Sequence, residues 1–368
     1  MAACPPAPLI RVSRLVALIL VGLAVSCARV ATDEFIQICT SASSLRSPAQ
    51  KRGIQIGAAV AAEPLRSEPR YAETLAREFS MVTPENAMKF GPLRPSRDRY
   101  DFGDADAIMD FAESHGLLVR GHTLVWNSQL PGWLTAKEWP RDELIAILRE
   151  HITTVVGHYR GRVVAWDVVN EAIADDGSLD DTIWLRGIGP TYIEMAFRWA
   201  HEADPQAMLF YNDVEGEGQG RKADAIYARI QDLVQRGVPI HGVGLQMHLS
   251  LTKRPEPSHV TANMKRFAAL GLQVHITEMD VAIKGAATAG NLSAQARIYR
   301  DALGVCLSAE NCKAFVLWGF SDRHSWIPHV SATSGSALIF DEAYRPKPAY
   351  NALMDALCGR EAIRSLPW

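Results

Sequence analysis

The sequence has little net charge, no long apolar run and no nucleotide or metal fingerprint, and each absence narrows what the chain does. Thirty-eight Lys and Arg set against forty-one Asp and Glu leave a formal charge of -3. That is too little of either sign to indicate nucleic acid or an anionic membrane as a partner. The longest uncharged apolar run, Leu15 to Val25, falls short of the roughly 20 residues that span a bilayer. Neither a GxGxxG turn after a strand nor a GxxxxGK[ST] loop occurs, which argues against dinucleotide or nucleotide binding. Zinc-type Cys/His spacing is also missing, so neither cofactor nor metal is expected. Residues 50–358 contain no solenoid repeat, low-complexity stretch or Pro/Ser/Thr-rich linker, so they read as one domain.

The N-terminus does carry a signature. Arg11 and Arg14 precede the Leu15–Val25 run, which closes on Ser26, Cys27 and Ala28. A basic start, a short apolar core and small residues describe an export signal over residues 1–28, so a secreted, periplasmic or cell-surface location is expected. Cleavage after Ser26 or Ala28 fits the pattern. Cys27 also loosely matches a lipoprotein box, which would instead anchor the chain by lipid. Residues 29–49 then read as an N-terminal extension and 359–368 as a C-terminal tail. Removing the signal leaves Cys39, Cys306, Cys312 and Cys358, an even number that favours disulfides in an exported chain. Cys306 and Cys312 flank a short loop, and Cys39 with Cys358 would join the two ends of the domain.

Within 50–358, short apolar runs alternate with longer amphipathic ones. The expected strands are Ile54–Val60, Phe79–Pro84, Leu118–Trp126, Val163–Asn170, Met208–Asn212, Gly242–His248, Gln273–Glu278 and Ala314–Gly319. Helical patterns cover Arg141–Tyr159, Gly189–Ala203, Gln219–Arg236 and Ser258–Leu270, and a further one begins after Ser293. Eight strand–helix alternations imply a parallel sheet, and without an open-sheet fingerprint they imply a (β/α)8 TIM barrel. Function in such a barrel lies where strands end.

The strand ends are polar. They carry Glu85, Asn86 and Lys89, then His122, Trp126 and Gln129, then Asn170 and Glu171. Further along come Tyr211-Asn212-Asp213, Gln246 and His248, Glu278 and Asp280, and finally Trp318 with Trp326. Buried polar side chains are costly unless paired, and a structural network accounts for only one or two such ends. Glu171 and Glu278 end strands four and seven and can face each other across the barrel mouth. Two opposed carboxyls suit glycoside hydrolysis, with a gap of about 5–5.5 Å in retaining enzymes. Tryptophans supply flat apolar faces for sugar rings.

Five motifs, Pro84-Glu85-Asn86-Ala87-Met88-Lys89, Gly121-His122-Thr123-Leu124-Val125-Trp126, Asp167-Val168-Val169-Asn170-Glu171-Ala172, Gly244-Leu245-Gln246-Met247-His248 and Ile276-Thr277-Glu278-Met279-Asp280, resemble in order those of glycoside hydrolase family 10. The resemblance implies an endo-acting, retaining β-1,4-xylanase acting on xylan and xylo-oligosaccharides. It implies Glu171 as acid/base and Glu278 as nucleophile. Asn170 then contacts the 2-hydroxyl of the reacting sugar, His248 and Asp280 orient Glu278, and Gln246 neighbours Glu171. Glu85, Asn86 and Lys89 hold the next sugar, His122 and Gln129 lie nearer the reacting one, and Trp126, Trp318 and Trp326 form aromatic walls.

Two positions depart from the family pattern. Asn127 stands where His is common, and Asp213-Val214-Glu215 stands where Asp-Tyr-Asn is common. A glucanase or mannanase on the same barrel, a binding protein without catalysis, and a metal-dependent hydrolase are the alternatives. A monomer is expected.

Overall fold

The computed structural model describes Cys39 and residues 43–359. The expected export signal, with Cys4 and Cys27, and the expected C-terminal tail after Gly359 lie outside the described residues. The compact unit that carries the barrel begins at Ser44. Its first helix, Arg46–Lys51, is held by Leu45 N–H donating to Glu78 at 3.0 Å. Arg46 donates to the carbonyls of Ala76, His115 and Gly116. Residues 44–49, expected in the extension, therefore form part of the barrel unit.

Eight parallel strands close on themselves: β1 (Gln55–Val60), β2 (Met81–Pro84), β3 (Leu118–Val125), β4 (Ala165–Asn170), β5 (Met208–Asp213), β6 (Gly242–Leu245), β7 (Gln273–Lys284) and β8 (Cys312–Leu317). Each pairs with the next, and β1 pairs with β8 through Gln55–Ala314 and Gly57–Val316. The (β/α)8 barrel read from the sequence is the fold observed.

Every residue of β2 and β4 is buried. Strands covered on both faces have no solvent side, so alternation is lost, and length and flanking turns identify them. Around them run α1 (Pro69–Glu78), α2 (Gly103–Ser114), α3 (Arg141–His158), α4 (Tyr192–Ala203), α5 (Arg221–Gln235), α6 (Pro257–Ala269), α7 (Ala289–Ser308) and α8 (Pro348–Cys358). Each turns one stripe inward; in α4 it is Tyr192, Ile193, Ala196, Phe197 and Ala200. That is the 3.6-residue period of a helix packed on a sheet. Each fully buried Ile or Phe in these stripes contributes roughly 1.5–3 kcal/mol.

Helix starts moved slightly from their expected positions. α6 begins at Pro257 in its first turn, without a side-chain cap from Ser258. α7 begins at Ala289, where the Thr288 hydroxyl accepts the Asn291 N–H. Ser293 lies inside it.

Two strands depart from expectation in ways that shape the site. The sixth strand breaks after Leu245 and resumes as the short strand His248–Ser250. The seventh runs past Glu278 to Lys284 and pairs with that short strand through His248 and Asp280. Cys306 and Cys312 form a disulfide with Cα atoms 5.2 Å apart, linking the end of α7 to β8. Cys39 and Cys358 are disulfide-bonded cysteines as well.

Candidate active site

A cleft of about 590 Å³ opens at the C-terminal ends of the strands, with both Glu171 and Glu278 in its wall. Glu85, Asn86, Lys89, His122, Trp126, Gln129, Asn170, Gln246, His248, Trp318 and Trp326 line it too. Of the residues singled out from the sequence, Asp280 alone among the site group lies behind the wall, fully buried. Ser128, Val214, His329 and Val330 complete the lining.

Glu278 is held from three sides. Asn212 Nδ2 donates to its Oε1 at 2.6 Å, and His248 Nε2 lies 3.2 Å from its Oε2. His122 Nδ1 is 4.0 Å from Oε1. Burial alone would raise the Glu278 carboxyl, but the His248 hydrogen bond and the charges of His122 and His248 outweigh it, leaving it below the ordinary carboxylate value.

His248 is itself gripped by Asp280, whose Oδ2 lies 3.0 Å from Nδ1 and also accepts Trp326 Nε1–H at 2.8 Å. Burial disfavours the imidazolium, yet Asp280 and Glu278 together push the His248 pKa up to about 10. The ring therefore keeps its proton at neutral pH, between the carboxyl groups of Asp280 and Glu278.

Glu171 has a different setting. It is half-buried and takes a left-handed backbone conformation, φ 54°, immediately after β4. Trp126 Nε1 donates to one carboxylate oxygen at 2.8 Å and Gln246 Nε2 to the other at 2.8 Å. The strained backbone is secured by Glu171 N–H to Asn212 carbonyl at 2.9 Å and by Ala172 N–H to the Tyr211 hydroxyl at 3.1 Å. Tyr211 in turn donates to Asp213, and Lys222 lies 3.1 Å from the same carboxylate.

A line of amides joins the two carboxylates. Asn170 Oδ1 accepts from Asn212 Nδ2 at 2.7 Å and from Gln246 Nε2 at 3.3 Å. With its oxygen engaged twice, the Nδ2 of Asn170 is the group left for a ligand. Asn212 fits because Gly244 on the neighbouring strand has no side chain; a Cβ there would meet Asn212 Oδ1 at 2.1 Å. Sequence reading placed Asn212 at a strand end without a role. Its partners come from across the barrel, which no local pattern reveals.

On the other flank, Asn86 Oδ1 accepts from Lys89 Nζ at 3.0 Å and from Gln129 Nε2 at 3.1 Å. Lys89 Nζ lies over the Trp126 ring at 4.8 Å and the Trp318 ring at 5.8 Å. Burial lowers the Lys89 pKa against the opposing pull of Glu278, Glu85 and Glu171. Burial likewise raises that of Glu85, against Lys89.

Beneath the cleft, Arg120 and Asp167 form a fully buried ion pair, and His122 Nδ1 lies 3.0 Å from Asp167. Breaking one partner of such a pair costs about 3–5 kcal/mol. Nothing in the sequence alone distinguished Arg120 from a surface arginine.

Asn127 is exposed and donates to Asp180 on the loop after β4, so it ties two loops together at the rim. Among the described residues no group of three His, Cys, Asp or Glu is arranged to hold a metal, and no helix is long and apolar enough to cross a membrane.

The arrangement resembles known proteins. The glycosyl hydrolase family 10 model matches residues 44–356. Endo-1,4-beta-xylanase B of Thermotoga neapolitana is 45% identical over 316 residues, 85% of this chain and 91% of that protein. The crystal structure of xylanase 10B from Thermotoga petrophila RKU-1 in complex with xylobiose matches with a TM-score of 0.84 at 44% identity, covering 86% of this chain and 98% of that one. Exoglucanase XynX of Acetivibrio thermocellus is 38% identical over 313 residues, which is 82% of this chain and 28% of that protein.

Proposed function

This chain belongs to glycosyl hydrolase family 10, and on that footing we propose that it cleaves internal β-1,4 bonds of xylan with retention at the anomeric carbon. Glu278 is the nucleophile and Glu171 the acid/base. The observation that carries these roles is the inequality of their surroundings. Glu278 sits below the ordinary carboxylate value beside the His248 cation, which suits an anion that must attack. Glu171 is the more accessible of the two and stands on the opposite side of the mouth.

In the first step Glu278 forms a bond to C1 of the sugar as the C1–O bond to the leaving chain breaks. Glu171 gives its proton to the departing oxygen. In the second step a water attacks C1 and loses its proton to Glu171, and Glu278 leaves as a carboxylate. The free Nδ2 of Asn170 donates to the 2-hydroxyl, a contact that strengthens as positive charge develops at C1. Trp318 and Trp326 stand close to His248, at 6.1 and 4.9 Å between rings. There they crowd the substituent on carbon 5 and favour xylose over glucose.

The test is the hydrolysis of defined xylo-oligosaccharides followed by NMR, with xylan, carboxymethylcellulose and mannan compared in parallel. The expected first product is the β-anomer, with xylan preferred. An α-anomer would overturn the nucleophile assignment, and preference for cellulose or mannan would overturn the substrate.

The same reading covers export. Arg11, Arg14 and the Leu15–Val25 run support removal of residues 1–28, with lipid attachment at Cys27 as the alternative outcome of mass spectrometry on the mature protein. The enzyme is read as a monomer that needs no cofactor.

A further inference from the structure

Gln246 and His248 touch the two catalytic carboxylates, one each, and they are separated by a single residue. That residue, Met247, lies in the left-handed region at φ 65°, which side chains other than glycine adopt only when the surroundings hold them there. The segment is well anchored through its carbonyls: Gln246 accepts the Glu278 N–H at 3.0 Å and Met247 accepts the Asp280 N–H at 3.3 Å. On its other edge, Gln246 N–H reaches the Asp213 carbonyl at 3.2 Å, but β5 ends at Asp213. The Met247 N–H therefore has no strand carbonyl to meet, and a buried donor must find a partner.

The partner is Glu217. Its side chain is buried, at 5% exposure, and its Oε1 accepts the Met247 N–H at 2.9 Å and the Glu215 N–H at 3.2 Å. The loop that carries it is fixed from below by Asn263 Nδ2, which donates to the carbonyls of Gly216 and Glu217 at 2.7 and 3.0 Å. Gly216 lies so close to Ile226 that a Cβ would meet its Cδ1 at 2.5 Å. No salt bridge to a Lys, Arg or His accounts for a carboxylate at this depth among the described residues. Its hydrogen bonds come from backbone N–H groups, and the charge of His248 acts on it from a distance.

We propose that Glu217 is a positioning residue that substitutes for the missing strand carbonyl at Met247, and so aims Gln246 at Glu171 and His248 at Glu278 together. This rests on the reading of Glu171 and Glu278 as the catalytic pair. One side chain outside the cleft thereby sets the geometry of both halves of the reaction.

Three variants test it: Glu217→Ala, Glu217→Gln and Glu217→Asp. They are assayed on whichever of xylan, carboxymethylcellulose and mannan the wild-type enzyme hydrolyses, so a wrong substrate sinks the xylan reading and leaves this test standing. Removing the acceptor in Glu217→Ala is expected to lower kcat by about ten- to a hundredfold, with KM changed by less than about threefold. The acidic limb of the pH profile should move up by about one unit, because Glu278 must be an anion to attack and a misplaced His248 no longer holds its carboxyl down.

Glu217→Gln keeps an acceptor oxygen and is expected to recover kcat to within about threefold of wild type. Glu217→Asp keeps the charge but is one methylene short, and its kcat should fall by about tenfold; this variant decides the question if Glu217→Ala does not fold. The proposal is overturned by a wild-type pH limb in a variant that is merely less heat-stable, by Glu217→Asp with unchanged kcat, or by Glu217→Gln as impaired as Glu217→Asp.

Discussion

β4 and β7 bring the same residue type to the barrel mouth and differ in almost everything around it. Glu278 lies inside the strand, buried at 4% exposure, with a cationic imidazole on one oxygen and an amide on the other. Glu171 lies just past its strand, half-buried in a left-handed turn, and meets only neutral donors from Trp126 and Gln246. Identical side chains thus sit in unlike surroundings, and on the proposed reading those neighbours assign them opposite tasks, Glu278 as nucleophile and Glu171 as acid/base.

The sharpest break in that comparison is removal of Glu278. Glu278→Ala should lose at least about ten-thousandfold in kcat on every substrate, while calorimetry still shows xylo-oligosaccharide binding. Undiminished turnover would reject the nucleophile. Glu171→Ala should be selective instead. Its loss is expected to be about a hundred- to ten-thousandfold on xylo-oligosaccharides and much smaller on aryl glycosides whose leaving groups need no proton. Equal losses on both would remove Glu171 from the acid role.

The His248 cation gives the comparison a pH signature. Its folded pKa, about 10, lies above the roughly 6.5 of an unfolded histidine. Its contribution to stability is then complete below about 6.5 and is lost as pH rises through about 10. Glu278 has the opposite sign: its folded pKa is depressed, so its contribution is present above the unfolded carboxylate value and fades as pH falls through the folded one. Melting temperature followed across pH should decline on the alkaline side in the wild type. His248→Gln should flatten that decline; an unchanged slope would place the alkaline transition elsewhere.

The smallest expected effect is at Val214, which lines the cleft where an aromatic is common in the family. Val214→Tyr is expected to lower KM for longer oligosaccharides by about two- to tenfold, the worth of one added aromatic contact, with kcat unchanged. No change in KM would mean that position 214 does not meet the substrate chain.

The barrel was legible because its signal is repeated: eight apolar runs and the helices between them agree, so misplacing one end does not alter the architecture. The edges were less so. The break after Leu245 was invisible, since Gln246-Met247-His248 reads as a continuation of an apolar strand. The reach of β7 past Glu278 depends on pairing with His248–Ser250, a partner that exists only because of that break. Glu217 sits in the run Glu215-Gly216-Glu217-Gly218, which has the composition of a solvent loop, and its burial could be seen only in the folded chain.

By itself the sequence determined which residue types stand at the strand ends, and a barrel then gathers all strand ends at one mouth. That much follows from local periodicity and chain order. The tertiary structure alone decided which donors reach which carboxylate. Asn212 bridges Asn170 and Glu278, Gln246 serves Glu171, and Glu217 closes the gap at Met247, because hydrogen bonds form over about 3 Å between groups brought together by the register of neighbouring strands, not by their spacing along the chain.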